Sequence, residues 1–166
     1  MDKNLKVLLL KNIAIFSIYF ILFLLFPNFY FEMPRVRLAS VVGLIVLFDL
    51  SYIYGTGLAI FVINLFSPLG VTDYIFSSLL NIASIYVAAK YIFPRCKNSV
   101  FISSLIIVAS SFTSVIAMDA HYIEPINFTS KLLHTLAGDF MVLSLYGSLL
   151  FYAIRDSKIF KFITKK

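Results

Sequence analysis

Residues 7–26 read VLLLKNIAIFSIYFILFLLF, an apolar run broken by one charge, Lys11, and stopped by Pro27. As an α-helix at about 1.5 Å per residue, such a run reaches ~30 Å, the thickness of a bilayer's hydrocarbon core. Its basic start imitates a signal peptide. The interruption at Lys11, the length of the run and the lack of a small-residue cleavage site before Pro27 favour a first transmembrane span instead.

The rest of the chain has the same character. Hydrophobic residues make up 61% of the 166 and charged residues only 13%, against about 25% charged in soluble domains. Mean hydropathy is +0.96. The reading is all-α: a single integral membrane domain over 1–166, folded as a six-helix transmembrane bundle with one short or broken span. No length remains for a separate soluble catalytic domain. The net charge of +6 does not suggest a nucleic-acid surface, because the basic residues sit at the ends of apolar runs rather than along one polar face. The single cysteine, Cys96, permits neither an intrachain disulfide nor a cysteine metal cluster.

Working outward from the first span, a polar loop with Glu32, Pro34, Arg35 and Arg37 leads into a second span from Leu38 to Tyr54. A third, from Gly55 to Phe66, offers about a dozen residues, or ~18 Å, and is the short or broken one. Pro68 and Gly70 break the helix there. Span four runs from Thr72 to Phe93 and stops at Pro94, span five from Ser99 to Met118, and span six from Lys131 to Ile154. A loop with Asp119, His121, Glu124 and Pro125 joins the last two.

Six spans place Lys3, Lys6, Lys11, Lys90, Arg95, Lys97, Arg155, Lys158, Lys161, Lys165 and Lys166 on one face. The other face receives Arg35, Arg37 and Lys131. Basic residues mark the inner side, so both termini are expected in the cytoplasm of a cell-membrane protein.

Polar groups at membrane depth are costly and are the default functional candidates. On span four, Asp73, Ser77, Asn81 and Ser84 share one helical face, and on span six Lys131, Thr135 and Asp139 do the same. Arg37, Asn64 and His134 lie where they could complete an outward-opening pocket. Structural roles compete at each position. Asp73 suits a helix cap, Asp139 a buried pair with Lys131 or Arg37, Asn81 a helix–helix hydrogen bond, and His134 a helix interface. The serines of span five suit close helix packing. No metalloprotease, serine-hydrolase or phosphate-loop signature is present, so neither an enzyme nor a bound cofactor is expected.

The central run from Tyr54 to Leu79 contains Asn64, Ser67, Pro68, Gly70 and Asp73 in a spacing that resembles the QueT-type transporters. Arg35-Val36-Arg37-Leu38-Ala39-Ser40 and Gly138-Asp139 look like two flanking elements of that family. The family comprises substrate-binding S components of energy-coupling factor transporters for queuosine precursors. The resemblance implies a binding protein without catalysis, with a pre-queuosine deazaguanine as its small-molecule substrate. It also implies partners: a transmembrane scaffold subunit and two ATPases, since this chain has no phosphate loop of its own. The alternatives are an S component or solitary carrier for another vitamin-like solute and, further off, a membrane hydrolase using Asp139 and His134.

Overall fold

A computed structural model of the chain describes residues 3–26, 37–67, 71, 73–121 and 128–155. The loop residues Glu32, Pro34, Arg35, Pro68, Gly70, Glu124 and Pro125 lie outside these, as do the side chains of Asp73, Asp119, His121 and Lys131. Within the described residues the helical segments form six rods and no strand. Rod α1 is Lys3–Leu25. Rod α2 is Ser40–Gly43 continued by a 3-10 segment, Leu44–Leu47. Rod α3 begins with a 3-10 turn, Leu50–Tyr52, and continues as Ile53–Asn64. Rod α4 is Asp73–Ser77, Ser78–Val87 and Ala88–Ile92, π-helical in its first and last parts. Rod α5 is Val100–His121. Rod α6 is Phe128–Asp139, a π-helical stretch Phe140–Gly147, and Ser148–Ile154.

Three segments, Leu5–Leu25, Tyr74–Ile92 and Leu132–Ala153, are long and apolar enough to cross a membrane. Leu50–Asn64 is a shorter apolar helix. Large apolar side chains such as Leu10, Ile13, Leu58, Leu79, Leu133 and Leu149 cover the outside, as a lipid-facing surface requires. The protein is an all-α polytopic membrane protein.

The boundary between spans two and three differs from the sequence expectation. The chain turns at Phe48–Asp49, not between Tyr54 and Gly55. Asp49 is extended (φ −145°, ψ 107°) and its carboxylate accepts a hydrogen bond from the Ser51 amide at 3.0 Å. An aspartate in this geometry starts a helix, so Leu50–Tyr54 belong to α3. Two rods are therefore short, α2 as well as α3, where one was expected. Gly55 is no hinge: its amide donates to Asn12 Oδ1 of α1 at 2.6 Å. A glycine inside a membrane helix more often admits a neighbouring backbone than a turn.

The neighbours run α1 on α3, α3 on α4, α4 on α5, α5 on α6 and α6 on α2, while α2 touches each of the other rods. Its residues Leu44, Ile45, Val46 and Leu47 are all buried. A segment apolar all round belongs at the centre of a bundle, and α2 fills that place. At its C-terminal end Phe48 packs on Phe93 of α4 (5.1 Å) and Phe151 of α6 (5.6 Å). Lys11 of α1 lies 3.8 Å from Asp49, and Tyr152 Oη accepts from the Val100 amide at 3.1 Å. These contacts collect the start of α1, the α2–α3 turn, the end of α4, the start of α5 and the end of α6 at one end of the molecule. The basic residues Lys6, Lys11, Lys90, Arg95, Lys97 and Arg155 gather near it.

At the other end of α2, Ser40 lies 3.4 Å from the Tyr19 hydroxyl of α1. Tyr19 is roughly 10 Å along α1 from Asn12, and α1 continues a further ~9 Å to Leu25. The central rod thus stops well short of the ends of its neighbours that lie away from Lys11 and Asp49. This short central rod positions the site described next.

Candidate functional site

Beyond the end of α2, polar side chains join apolar ones such as Ile63 and Phe23 in the interior. Asn64, the last residue of α3, donates from Nδ2 to Ser78 Oγ of α4 at 2.9 Å. One turn along α4, Asn81 Oδ1 accepts from Ser110 Oγ of α5 at 3.2 Å. The next residue of α5, Ser111, donates its hydroxyl to Asp139 Oδ2 of α6. Three side-chain contacts therefore tie α3, α4, α5 and α6 into one polar belt.

The belt lies at one depth. Asn81 precedes Phe93 by twelve residues and Asp139 precedes Phe151 by twelve, and both phenylalanines pack on Phe48. Each polar residue is therefore roughly 18 Å from that level. Asn64 lies about 13 Å beyond Gly55 on α3, away from the same level, and Arg37 just precedes Ser40, the first residue of α2.

Burial raises the stakes. Asp139 is 1% exposed, Asn64 1% and Arg37 4%. Taking a carboxylate or a guanidinium out of water is strongly unfavourable unless opposite charge or hydrogen bonds replace the solvent. The Ser111 hydroxyl supplies part of that replacement for Asp139. Removing it by Ser111→Ala is expected to cost about 2 kcal/mol of stability, the scale of a hydrogen bond to a charged group, read as a lower thermal midpoint in detergent.

Of the residues singled out from the sequence, the structure links Asn64, Asn81 and Asp139 through the belt and buries Arg37 near its depth. His134 is exposed and its Nδ1 is 2.7 Å from the Ser130 carbonyl one turn earlier. It occupies a different side of α6 from the buried Thr135 and Asp139, and the two groups invoked for a hydrolase are not brought together. The backbone of Asp73 begins α4, two turns before Asn81.

The partners Ser78, Ser110 and Ser111 were not among the expected site residues. Small serines such as those of α5 suit close packing, and Ser103 and Ser104 are buried in that way. Ser104 donates to Ser144 of α6 at 3.1 Å, nearer the Phe48 level than the belt is. A signal was present nonetheless. Ser110 and Ser111 are adjacent, so the two face different neighbours on a helix, and only the order of the helices reveals which ones.

The arrangement offers a carboxylate, two carboxamides and several hydroxyls for hydrogen bonding. It can bind a polar solute within a membrane. An all-helical membrane bundle with such groups buried at one depth has the make-up of a transport protein for a small substrate. The QueT transporter family model matches residues 9–156, and the chain belongs to that family. No curated protein and no solved structure matched the chain.

Proposed function

We propose that this QueT-family chain is the substrate-binding S component of an energy-coupling factor importer, and that its substrate is a queuosine precursor of the deazaguanine type. The chain acts as a single integral membrane domain in the cell membrane with both termini in the cytoplasm. The gathering of basic residues at the end of the bundle near Lys11 and Arg155 supports that orientation. A transmembrane scaffold subunit and two ATPase subunits supply the energy, and the chain itself performs no bond chemistry.

The observation that carries the reading is the buried carboxylate of Asp139 at the end of a hydrogen-bonded belt. A deazaguanine presents adjacent N–H donors on one edge, which match a carboxylate, and an aminomethyl substituent adds a cation. Such charge-assisted bonds are strong in a desolvated site. Asn64 and Asn81 read further donors and acceptors of the base, and Arg37 closes the pocket at the outer end of α2. Asp73 meets the ligand on its approach from outside, while His134, on another side of α6, is left out of the contact.

Uptake tests the reading. Labelled 7-aminomethyl-7-deazaguanine is expected to accumulate in cells making this chain together with the scaffold and ATPase subunits, and not in cells making the chain alone. Equal accumulation without the module would identify a solitary carrier. No accumulation in either, with the proteins in the membrane, would reject this substrate.

A further inference from the structure

Thr135 stands one turn outward of Asp139 on the same face of α6 and is 0% exposed. Among the described residues its hydroxyl has no hydrogen-bond partner. A threonine in a helix can bond a carbonyl three or four residues earlier, and Thr135 does not. A buried hydroxyl left in this state lowers stability, so a valine of nearly the same shape would serve the fold better.

A second group in the belt is in the same condition. The Oδ1 of Asn64 has no partner among the described residues, while its Nδ2 is held by Ser78. With the amide so oriented, Asn64 offers an acceptor. The belt therefore carries an unengaged acceptor on α3 and an unengaged hydroxyl on α6, in addition to the carboxylate of Asp139.

We propose that the Thr135 hydroxyl contacts the ligand and helps to set specificity, an inference that rests on reading the belt as the substrate site. Thr135 and Asp139 are about 6 Å apart along the axis of α6, a separation suited to a fused bicyclic base. The ligand class follows from the groups it must meet. It is a small planar heterocycle with N–H donors for Asp139 and Asn64 and a further polar atom for Thr135. An apolar or singly polar solute would leave at least one of these groups unpartnered.

Thr56 supplies an internal control. It too is 0% exposed, with a hydroxyl that has no partner among the described residues. It lies eight residues inward of Asn64 on α3, and its methyl group faces Gly43, near Ile85 and Tyr19. Nothing polar in the belt is at that level.

The test compares wild type with Thr135→Val, Thr135→Ser and Thr56→Val. Each purified protein is examined for its thermal midpoint without ligand. Each is then titrated with 7-aminomethyl-7-deazaguanine, guanine and a set of vitamins. Thr135→Val is expected to keep or raise the ligand-free midpoint and to bind roughly tenfold more weakly, the scale of one hydrogen bond. Thr135→Ser should restore binding, and Thr56→Val should leave it unchanged. Wild-type affinity in Thr135→Val overturns the inference and spares the substrate reading. A large fall in its ligand-free midpoint also overturns it, by showing that the hydroxyl serves the fold. Folded wild type that binds no probe removes both the reading of the site and this inference. Binding of a probe other than the deazaguanine removes only the proposed substrate, and the same variants then decide the role of Thr135.

Discussion

Asp139→Asn is expected to weaken deazaguanine binding roughly 150-fold, about 3 kcal/mol, because the charge that engages the ligand's N–H groups is lost. The substitution keeps the shape of the side chain and leaves an oxygen able to accept from Ser111, so the bundle should fold normally. Without ligand, the neutral amide escapes the carboxylate's desolvation cost but gives up its charge-assisted bond from Ser111, and the thermal midpoint should change by only a few degrees. Calorimetric titration and a thermal scan separate the two effects. Unchanged affinity in a folded variant would assign Asp139 to the architecture alone.

Gly55→Ala is expected to have the largest effect on stability. A Cβ at Gly55 would lie 2.4 Å from the Asn12 carbonyl oxygen and 3.0 Å from two further Asn12 backbone atoms. Backbone cannot move aside as a flexible side-chain end can, so α1 and α3 must separate. Separation also lengthens the bond from the Gly55 amide to Asn12 Oδ1 and loosens the neighbouring Lys11–Asp49 ion pair. Overpacking of this kind costs about 2–3 kcal/mol, seen as a midpoint several degrees lower in detergent. Gly57→Ala provides the comparison. Its Cβ would meet only side-chain atoms of Ile82, the nearest at 3.4 Å, and the midpoint should hardly change. Equal midpoints for the two variants would show that close approach at Gly55 does not hold α1 to α3.

Much of this architecture is legible in the sequence because lipid imposes simple rules. Long apolar runs must be helices, as in α1, α4 and α6, and Pro94 duly follows the end of α4. The α2–α3 turn escaped because two opposing cues lie close together. Asp49 looks like a carboxylate reaching water at the end of a span, and Gly55 and Gly57 suit either a turn or a close helix contact. In the structure Asp49 caps a new helix and Gly55 takes the second of its two roles, admitting the backbone of α1. Which role a glycine takes depends on a partner helix that one sequence does not display.

The site was legible to a similar depth. Helical periodicity placed Asn81 on one face of α4, and Thr135 with Asp139 on one face of α6. The charge cost at membrane depth singled out Asp139. The connection between these faces was not legible, because it runs through Ser110 and Ser111, and their neighbours follow from the order of α4, α5 and α6 in space. His134 illustrates the same limit from the other side: it lies close to Asp139 in sequence and points away from it in the fold.

Ligand-induced stabilisation of the purified chain is the most direct measurement of the central claim, that the buried belt binds a deazaguanine. At 100 times its dissociation constant, 7-aminomethyl-7-deazaguanine should stabilise the folded state by about 2.7 kcal/mol. The rise in midpoint should be selective over unrelated vitamins and should be lost at the same ligand concentration in Asp139→Asn. A folded protein that shows no rise with any deazaguanine, or an equal rise in Asp139→Asn, would contradict the account.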